Sequence, residues 1–338
     1  MANMSYGCDD YSIHLHNFRS LDLGTPIKHK FDQYHDRYKD IYPGENPINV
    51  VVGGDQLYIN ANTVFGDIVV SQAPCVGAFY RFWLMVVQQR VGLIVMLTRL
   101  VENKRVKADV YWPQQHHDLV FGDNLRVRLV SVNVGDTAGI ADTADITNDT
   151  VNDTTNDTVN DKTNDTNDDA DVVISDDADD ATNDTAGNTN TDTTDDTTTN
   201  ATFTTRKIII YYNGEEFPIT QICYNGWVDH DTPTDTKGCM GVISMMKHAH
   251  ARARGVLIHC SAGVGRTGTI ALAYQLARTR GDPIALLAQL RKCRPFSVES
   301  EEQFKFALRL ANDVIGEDTA IATTSTPTDT PTTNLPPF

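Results

Sequence analysis

Val256-Leu257-Ile258-His259-Cys260-Ser261-Ala262-Gly263-Val264-Gly265-Arg266-Thr267-Gly268 is a short apolar run that ends at a cysteine and continues into a glycine-studded loop. The residues from Thr267 to Arg280 then read as a helix. A strand, a glycine-rich loop and a helix N-terminus in succession let backbone N–H groups converge on one point, and the helix adds positive potential there. Such a cradle suits a tetrahedral dianion. Arg266 closes it with a planar fork of donors that matches two oxygens at once. The same donors favour the thiolate of Cys260 over its thiol, and a thiolate on the floor of an anion cradle is a nucleophile aimed at whatever the cradle holds. A Cys-x5-Arg spacing alone arises easily by chance. The full string after an apolar strand does not.

The 338 residues suffice for one large or two ordinary domains. The formal charge of −17 is concentrated: residues 135–205 hold 19 Asp and one Lys, and the remainder carries 27 basic against 26 acidic residues. No basic stripe points to a nucleic-acid partner. Six scattered cysteines, without a CxxC pair, fit free thiols in a reducing compartment. The N-terminus lacks a leader pattern, and no apolar run approaches a membrane span. The expectation is a cytoplasmic, monomeric protein.

The low-complexity segment repeats Asn-Asp-Thr-x from Thr147 to Asp168, with asparagines at 148, 152, 156, 160 and 164. It has almost no apolar surface to bury and repels itself, so disorder is expected. Strand patterns at Leu125–Asn133 and Phe203–Tyr212 flank it, which makes 135–205 an insertion within one domain. Further strands are predicted at Leu57–Asn62, Asp67–Gln72, Val91–Thr98 and Phe217–Tyr224. Helices are predicted at Phe79–Gln89, Met240–Ala253, Thr267–Arg280 and Pro283–Cys293. Ser300-Glu301-Glu302-Gln303 has capping-box spacing and opens a last helix to about Val314. Residues 316–338, rich in Thr and Pro, read as a disordered tail.

With these parts in order, the chain resembles the protein tyrosine phosphatases, specifically the tyrosine-specific, cysteine-based branch, whose signature is nearly the string quoted above. The resemblance runs over residues 30–315 without the insertion. It implies an α/β fold with a central mixed, highly twisted β-sheet flanked by α-helices on both sides. It also implies no cofactor and no metal, because the arginine and loop N–H groups supply the positive charge.

Carried over position by position, the resemblance makes Cys260 the nucleophile and Arg266 the phosphate clamp. Ser261, Ala262, Gly263, Val264 and Gly265 would be the cradle, with His259 supporting it. Thr267 would hydrogen-bond the thiolate. Asp36-Arg37-Tyr38-Lys39-Asp40 matches the phosphotyrosine-recognition loop, with Tyr38 stacking on the substrate ring and Asp40 binding its backbone. His35-Asp36 stand where the family begins this loop with Asn. Glu102 matches the acid that pairs with the arginine, and Lys107 the lysine that supports the general-acid loop. In Trp227-Val228-Asp229-His230-Asp231-Thr232-Pro233, Asp229 is the candidate acid by its spacing to the tryptophan; Asp231 is its rival by spacing to the proline. Gln303 retains one of the family's two glutamines, whereas Glu299 replaces the one that positions the hydrolytic water.

The implied reaction is hydrolysis of phosphotyrosine in proteins through a phosphocysteine. A tyrosine leaves poorly as a phenolate, with a pKa of ~10, hence the need for an acid, and Asp229 would then act as base for the water that hydrolyses the phosphocysteine. A carboxylate at Glu299 would repel a bound phosphoryl group unless protonated or turned away, which predicts a slow second step. Two alternatives stand beside this one. The same chemistry could serve a dual-specificity or RNA 5′-phosphatase, against which the aromatic-walled Tyr38 loop argues, or the chain could be a phosphotyrosine-binding pseudophosphatase.

Overall fold

The computed structural model describes residues 12–114, 117–135, 202–227 and 231–324. The chain divides into two compact units, Met1–Ala144 with Thr199–Phe338, and Asp145–Thr198; every described residue belongs to the first. That unit is built on a mixed, twisted sheet. Its strands in chain order are β1 (Pro47–Val52), β2 (Asp55–Val64), β3 (Ile68–Ser71), β4 (Val91–Met96), the small pair β5 (Val101–Glu102) and β6 (Arg105–Val106), β7 (Leu119–Phe121), β8 (Leu125–Gly135), β9 (Phe203–Tyr212), β10 (Glu215–Tyr224) and β11 (Gly255–His259). The helices are α1 (Ser12–Ser20), α2 (Phe79–Gln88), α3 (Lys237–Ala251), α4 (Gly265–Thr279), α5 (Pro283–Cys293) and α6 (Glu301–Thr324).

The nine-stranded sheet runs β1-β2-β3-β11-β4-β10-β9-β8-β7. Its centre is parallel: β11 pairs β3 and β4 in parallel, and β4 pairs β10 likewise. Parallel strands buried on both faces carry continuous apolar runs, which is why Val91–Met96 shows no alternation. The period of two still sorts its residues: Leu93 and Val95 pack with α3, α4, α5 and α6, while Ile94 and Met96 face α2, Tyr111 and Trp112. In β11, Val256 and Ile258 share the first core and Leu257 the second. Helices therefore cover both faces, as the sequence implied.

The outer strands are antiparallel. Between β9 and β10, Asn213 and Gly214 take φ of 51° and 83°, the conformation of a two-residue type I′ turn, and fix the register Tyr212↔Glu215. The β8–β9 ladder continues to Gly135↔Phe203. Gly135 and residues 203–205, assigned to the insertion by composition, are thus ladder residues; 136–201 lie outside the described residues. One further expectation needs correction. The last helix does not stop near Val314 but runs to Thr324, taking in residues 316–324 of the expected tail. The prolines that mark the tail begin only at Pro327, while Ala320 and Ala322 favour helix and Asp318 pairs with Lys247 at 2.6 Å. Residues 325–338 lie outside the described residues.

Candidate active site

Cys260 follows the last residue of β11 and is buried, 6% exposed. The strand is held in place up to its end, because Leu97 N–H donates to His259 O (2.9 Å) and Ala73 N–H to Ser261 O (2.9 Å). The loop then turns through Gly263 at φ 73°. A Cβ there would stand 2.1 Å from Ser71 O, so only glycine fits both the angle and the approach.

Arg294, fully buried, grips the outside of this loop. Its Nη2 donates to Ala262 O (2.8 Å) and its Nε to Gly263 O (3.1 Å), while Nη1 reaches Asn60 Oδ1 (2.7 Å). In a trans peptide the N–H points opposite to the C=O. With these two carbonyls turned to Arg294, the N–H groups of Gly263 and Val264 face away from it, toward the inside of the loop. Burial pushes the Arg294 guanidinium down to about 10, so it stays charged at neutral pH.

Arg266 lies in the first turn of α4 and is aimed by an acid. Its Nη1 and Nη2 donate to Glu102 Oε1 and Oε2, both at 2.7 Å, and Nη1 also donates to Leu97 O (3.0 Å). Glu102 is held in turn by Thr98 Oγ1 (3.0 Å) and Arg99 N–H (3.1 Å). A bidentate, buried pair of this kind fixes the guanidinium plane.

Behind Cys260 runs a buried chain of polar groups. Burial lowers the His259 pKa to about 4, leaving the ring neutral. A neutral ring with these partners accepts from Tyr111 Oη at Nε2 (2.7 Å) and donates from Nδ1 to Cys260 O (3.0 Å). Tyr111 Oη accepts from Gln221 Nε2 (2.6 Å), whose Oε1 accepts from Arg206 (3.3 Å).

The Tyr38 loop is fastened on both sides. Asp36, 2% exposed, accepts from Tyr58 Oη (2.9 Å), Asn60 Nδ2 (3.1 Å) and Asp32 N–H (3.0 Å), and meets His29 Nε2 at 2.8 Å. It anchors the loop although it is not the asparagine of the family pattern. Arg37 donates to Ala73 O and Pro74 O and pairs with Asp109 at 2.6 Å. Tyr38 Oη lies 2.7 Å from Ser261 Oγ, which itself donates to Lys107 O (2.6 Å). The Lys107 backbone is therefore tied to the cradle, and Asp40 stands exposed nearby in sequence.

Asp229 lies outside the described residues, with Val228 and His230. Its loop is anchored at both ends: Trp227 is buried against Phe306, with centroids 5.4 Å apart, and its Nε1 donates to Asp231 O (2.7 Å). The Asp231 carboxylate accepts from Thr232 N–H (2.8 Å), a turn-capping use of the rival acid. Gln303 accepts from Glu299 N–H through Oε1 (2.9 Å), while its own N–H donates to Ser300 Oγ (3.2 Å). The capping box is thus half made; its return bond falls one residue early. Glu299 is exposed and its carboxylate overhangs the start of α4, where a Cβ on Gly265 would lie 2.1 Å from Oε2. Thr267 Oγ1 is buried and has no hydrogen-bond partner among the described residues, so its expected bond to Cys260 is not made here.

Arg294, Tyr111, Gln221 and Asp36 carry no role in the sequence reading. Arg294 contacts mainly carbonyls and amide oxygens, which leave no mark in residue type. The one available signal is a lone charged residue in the stretch Cys293–Val298.

The structure thus brings together a buried cysteine, inward-facing N–H groups and a clamped arginine on one loop. The sequence model of the family described as protein-tyrosine phosphatase matches residues 32–163 and 176–313, and the chain belongs to that family. It is 24% identical over 323 residues to tyrosine-protein phosphatase 3 of Dictyostelium discoideum, covering 86% of this chain and 26% of that protein. It is 26% identical over 294 residues to receptor-type tyrosine-protein phosphatase S of Gallus gallus, covering 83% and 15%. It is 26% identical over 297 residues to receptor-type tyrosine-protein phosphatase eta of Homo sapiens, covering 82% and 17%. The chain spans about a quarter or less of the length of these relatives. Among the described residues, no helix is long and apolar enough to cross a membrane.

Proposed function

We propose that the chain hydrolyses phosphotyrosine in proteins through a phosphocysteine intermediate. The observation that carries this reading is the double grip on one loop: Arg294 on its carbonyls and Glu102 on its arginine, with Cys260 between. Cys260 attacks phosphorus while Arg266 and the N–H groups of residues 261–266 hold the equatorial oxygens. Asp229 protonates the leaving phenolate. Water, deprotonated by Asp229, then releases phosphate, and Thr267 gives its hydroxyl to the departing thiolate. Tyr38 forms the aromatic wall, Asp40 takes the substrate backbone and Lys107 supports the acid loop. Family membership and the fastened Tyr38 loop support a phosphotyrosine substrate over shorter phosphoserine or a 5′-phosphorylated RNA.

The catalytic domain is residues 30–315, with the insertion at 136–201 and α6 extending past the domain's end. The chain acts as a monomer. A cytoplasmic setting is supported by five free cysteines among the described residues. Turnover of phosphotyrosine and phosphothreonine peptides tests the reading. Cys260→Ser should abolish turnover, and Asp229→Ala should lower it while retaining peptide binding. A wild-type protein that binds phosphotyrosine peptide without turning it over would instead be a pseudophosphatase.

A further inference from the structure

We infer that the chain holds a second binding site, for a small aromatic carboxylate, at the end of the central sheet opposite Cys260. A cavity of about 380 Å³ lies there, within the usual size range of small-molecule pockets. It sits where β3, β4 and β11 begin, with Asp67, Arg90 and Gly255 in its wall. Cys260 follows the far end of β11, roughly 16 Å along the strand. The proposed reaction uses none of the cavity's residues.

The wall is positive on balance. Its acid, Asp67, is taken by Arg278, which donates to the two carboxylate oxygens at 2.5 and 3.1 Å. Two further arginines, Arg90 and Arg254, line the cavity with no acid paired to them among the described residues. Arg254 lays its stem over Gly92, where a Cβ would stand 2.5 Å from Arg254 Cδ, and gives one donor to Pro218 O (2.6 Å). Arg90 is exposed, and its side chain makes no hydrogen bond among the described residues. It follows the C-cap of α2 with a φ of 51°, a left-handed position where glycine is the ordinary and cheaper residue. Ala253 stands likewise after α3 at φ 53°, and Gly255 N–H donates to Arg90 O (2.9 Å), tying the two turns together. The remaining wall suits a flat apolar body: Val69, Ala253 and the ring of His250, which is fixed 2.7 Å from Tyr274 Oη. Burial lowers the His250 pKa and keeps that ring neutral at neutral pH. Planar guanidinium forks match a planar carboxylate head, and a neutral ring matches an aromatic body.

Titration of the full chain with benzoate, followed by amide NMR, tests this. Resonances of residues 66–67, 89–91 and 250–255 should shift saturably, with a dissociation constant near ~1 mM for so small a ligand. Benzamide, the neutral isostere, should bind at least ~10-fold more weakly, as should benzoate to Arg90→Gly. That variant keeps the left-handed turn without strain, so its melting temperature should not fall and its turnover of phosphotyrosine peptide should not change. No saturable shift at these residues, equal affinity for benzamide, or undiminished affinity in Arg90→Gly overturns the proposal. Shifts confined to residues 260–266 would place the carboxylate in the catalytic loop and overturn it as well.

Discussion

Glu102 and Arg266 show how much one pair of side chains can decide. Both are buried, and each of the two guanidinium nitrogens meets a carboxylate oxygen. Removing the acid leaves a buried cation uncompensated, which costs roughly 3–5 kcal/mol. Glu102→Ala should lose about that much in urea unfolding, and its kcat/KM should fall by at least ~10²-fold because the clamp is no longer aimed. His259 gives a second, opposite case. Its folded pKa, about 4, lies below its ordinary 6.5, so the unfolded chain binds the extra proton first. Stability should therefore be whole above pH 6.5 and fall as pH drops toward 4, by up to roughly 3 kcal/mol. Burial lowers His250 in the same direction, so His259→Gln should flatten the pH dependence of urea midpoints without abolishing it.

At the scale of elements, the loop between β11 and α4 is the part most constrained by its neighbours. Gly263→Ala would force a left-handed φ on alanine and drive its Cβ into Ser71 O. We expect aryl-phosphate turnover to fall by ~10²-fold or more while circular dichroism stays native, since misplacement by about 1 Å suffices for such a loss. This loop was legible in the sequence because glycines, a cysteine and an arginine stand at adjoining positions after an apolar strand, a string that chance does not supply. Its scaffold was not. Arg294 acts on carbonyls of Ala262 and Gly263 and on side chains of a strand more than two hundred residues earlier. Tyr111 and Gln221 read as ordinary strand and flank residues until the sheet brings them to His259. The end of α6 was misread for a simpler reason: threonine-rich composition outweighed two alanines and a lysine on a different helix.

For the whole molecule, the large insertion interrupts a hairpin without disturbing its ladder, which stays in register to Gly135↔Phe203. Replacing residues 136–202 with Asn-Gly should close the same hairpin. Treated as a flexible loop, the change amounts to about five halvings of length at roughly 0.6 kcal/mol each, so stability should rise by up to about 3 kcal/mol. Differential scanning calorimetry of the shortened chain checks this, and its kcat should equal that of the full one. The fold class was readable because a continuous apolar strand signals a sheet covered on both faces. The pairing of β1 and β7 was not, since short strands at a sheet's rim carry little pattern.

The position of β11 between β3 and β4 has a consequence for how the protein breathes. Its amides are locked to two neighbours and sealed from water on both sides, so deuterium should reach them only when the entire sheet opens. The ground beneath the sulfur is as rigid as the molecule allows, and whatever opening and closing turnover demands must be confined to the segments around the mouth.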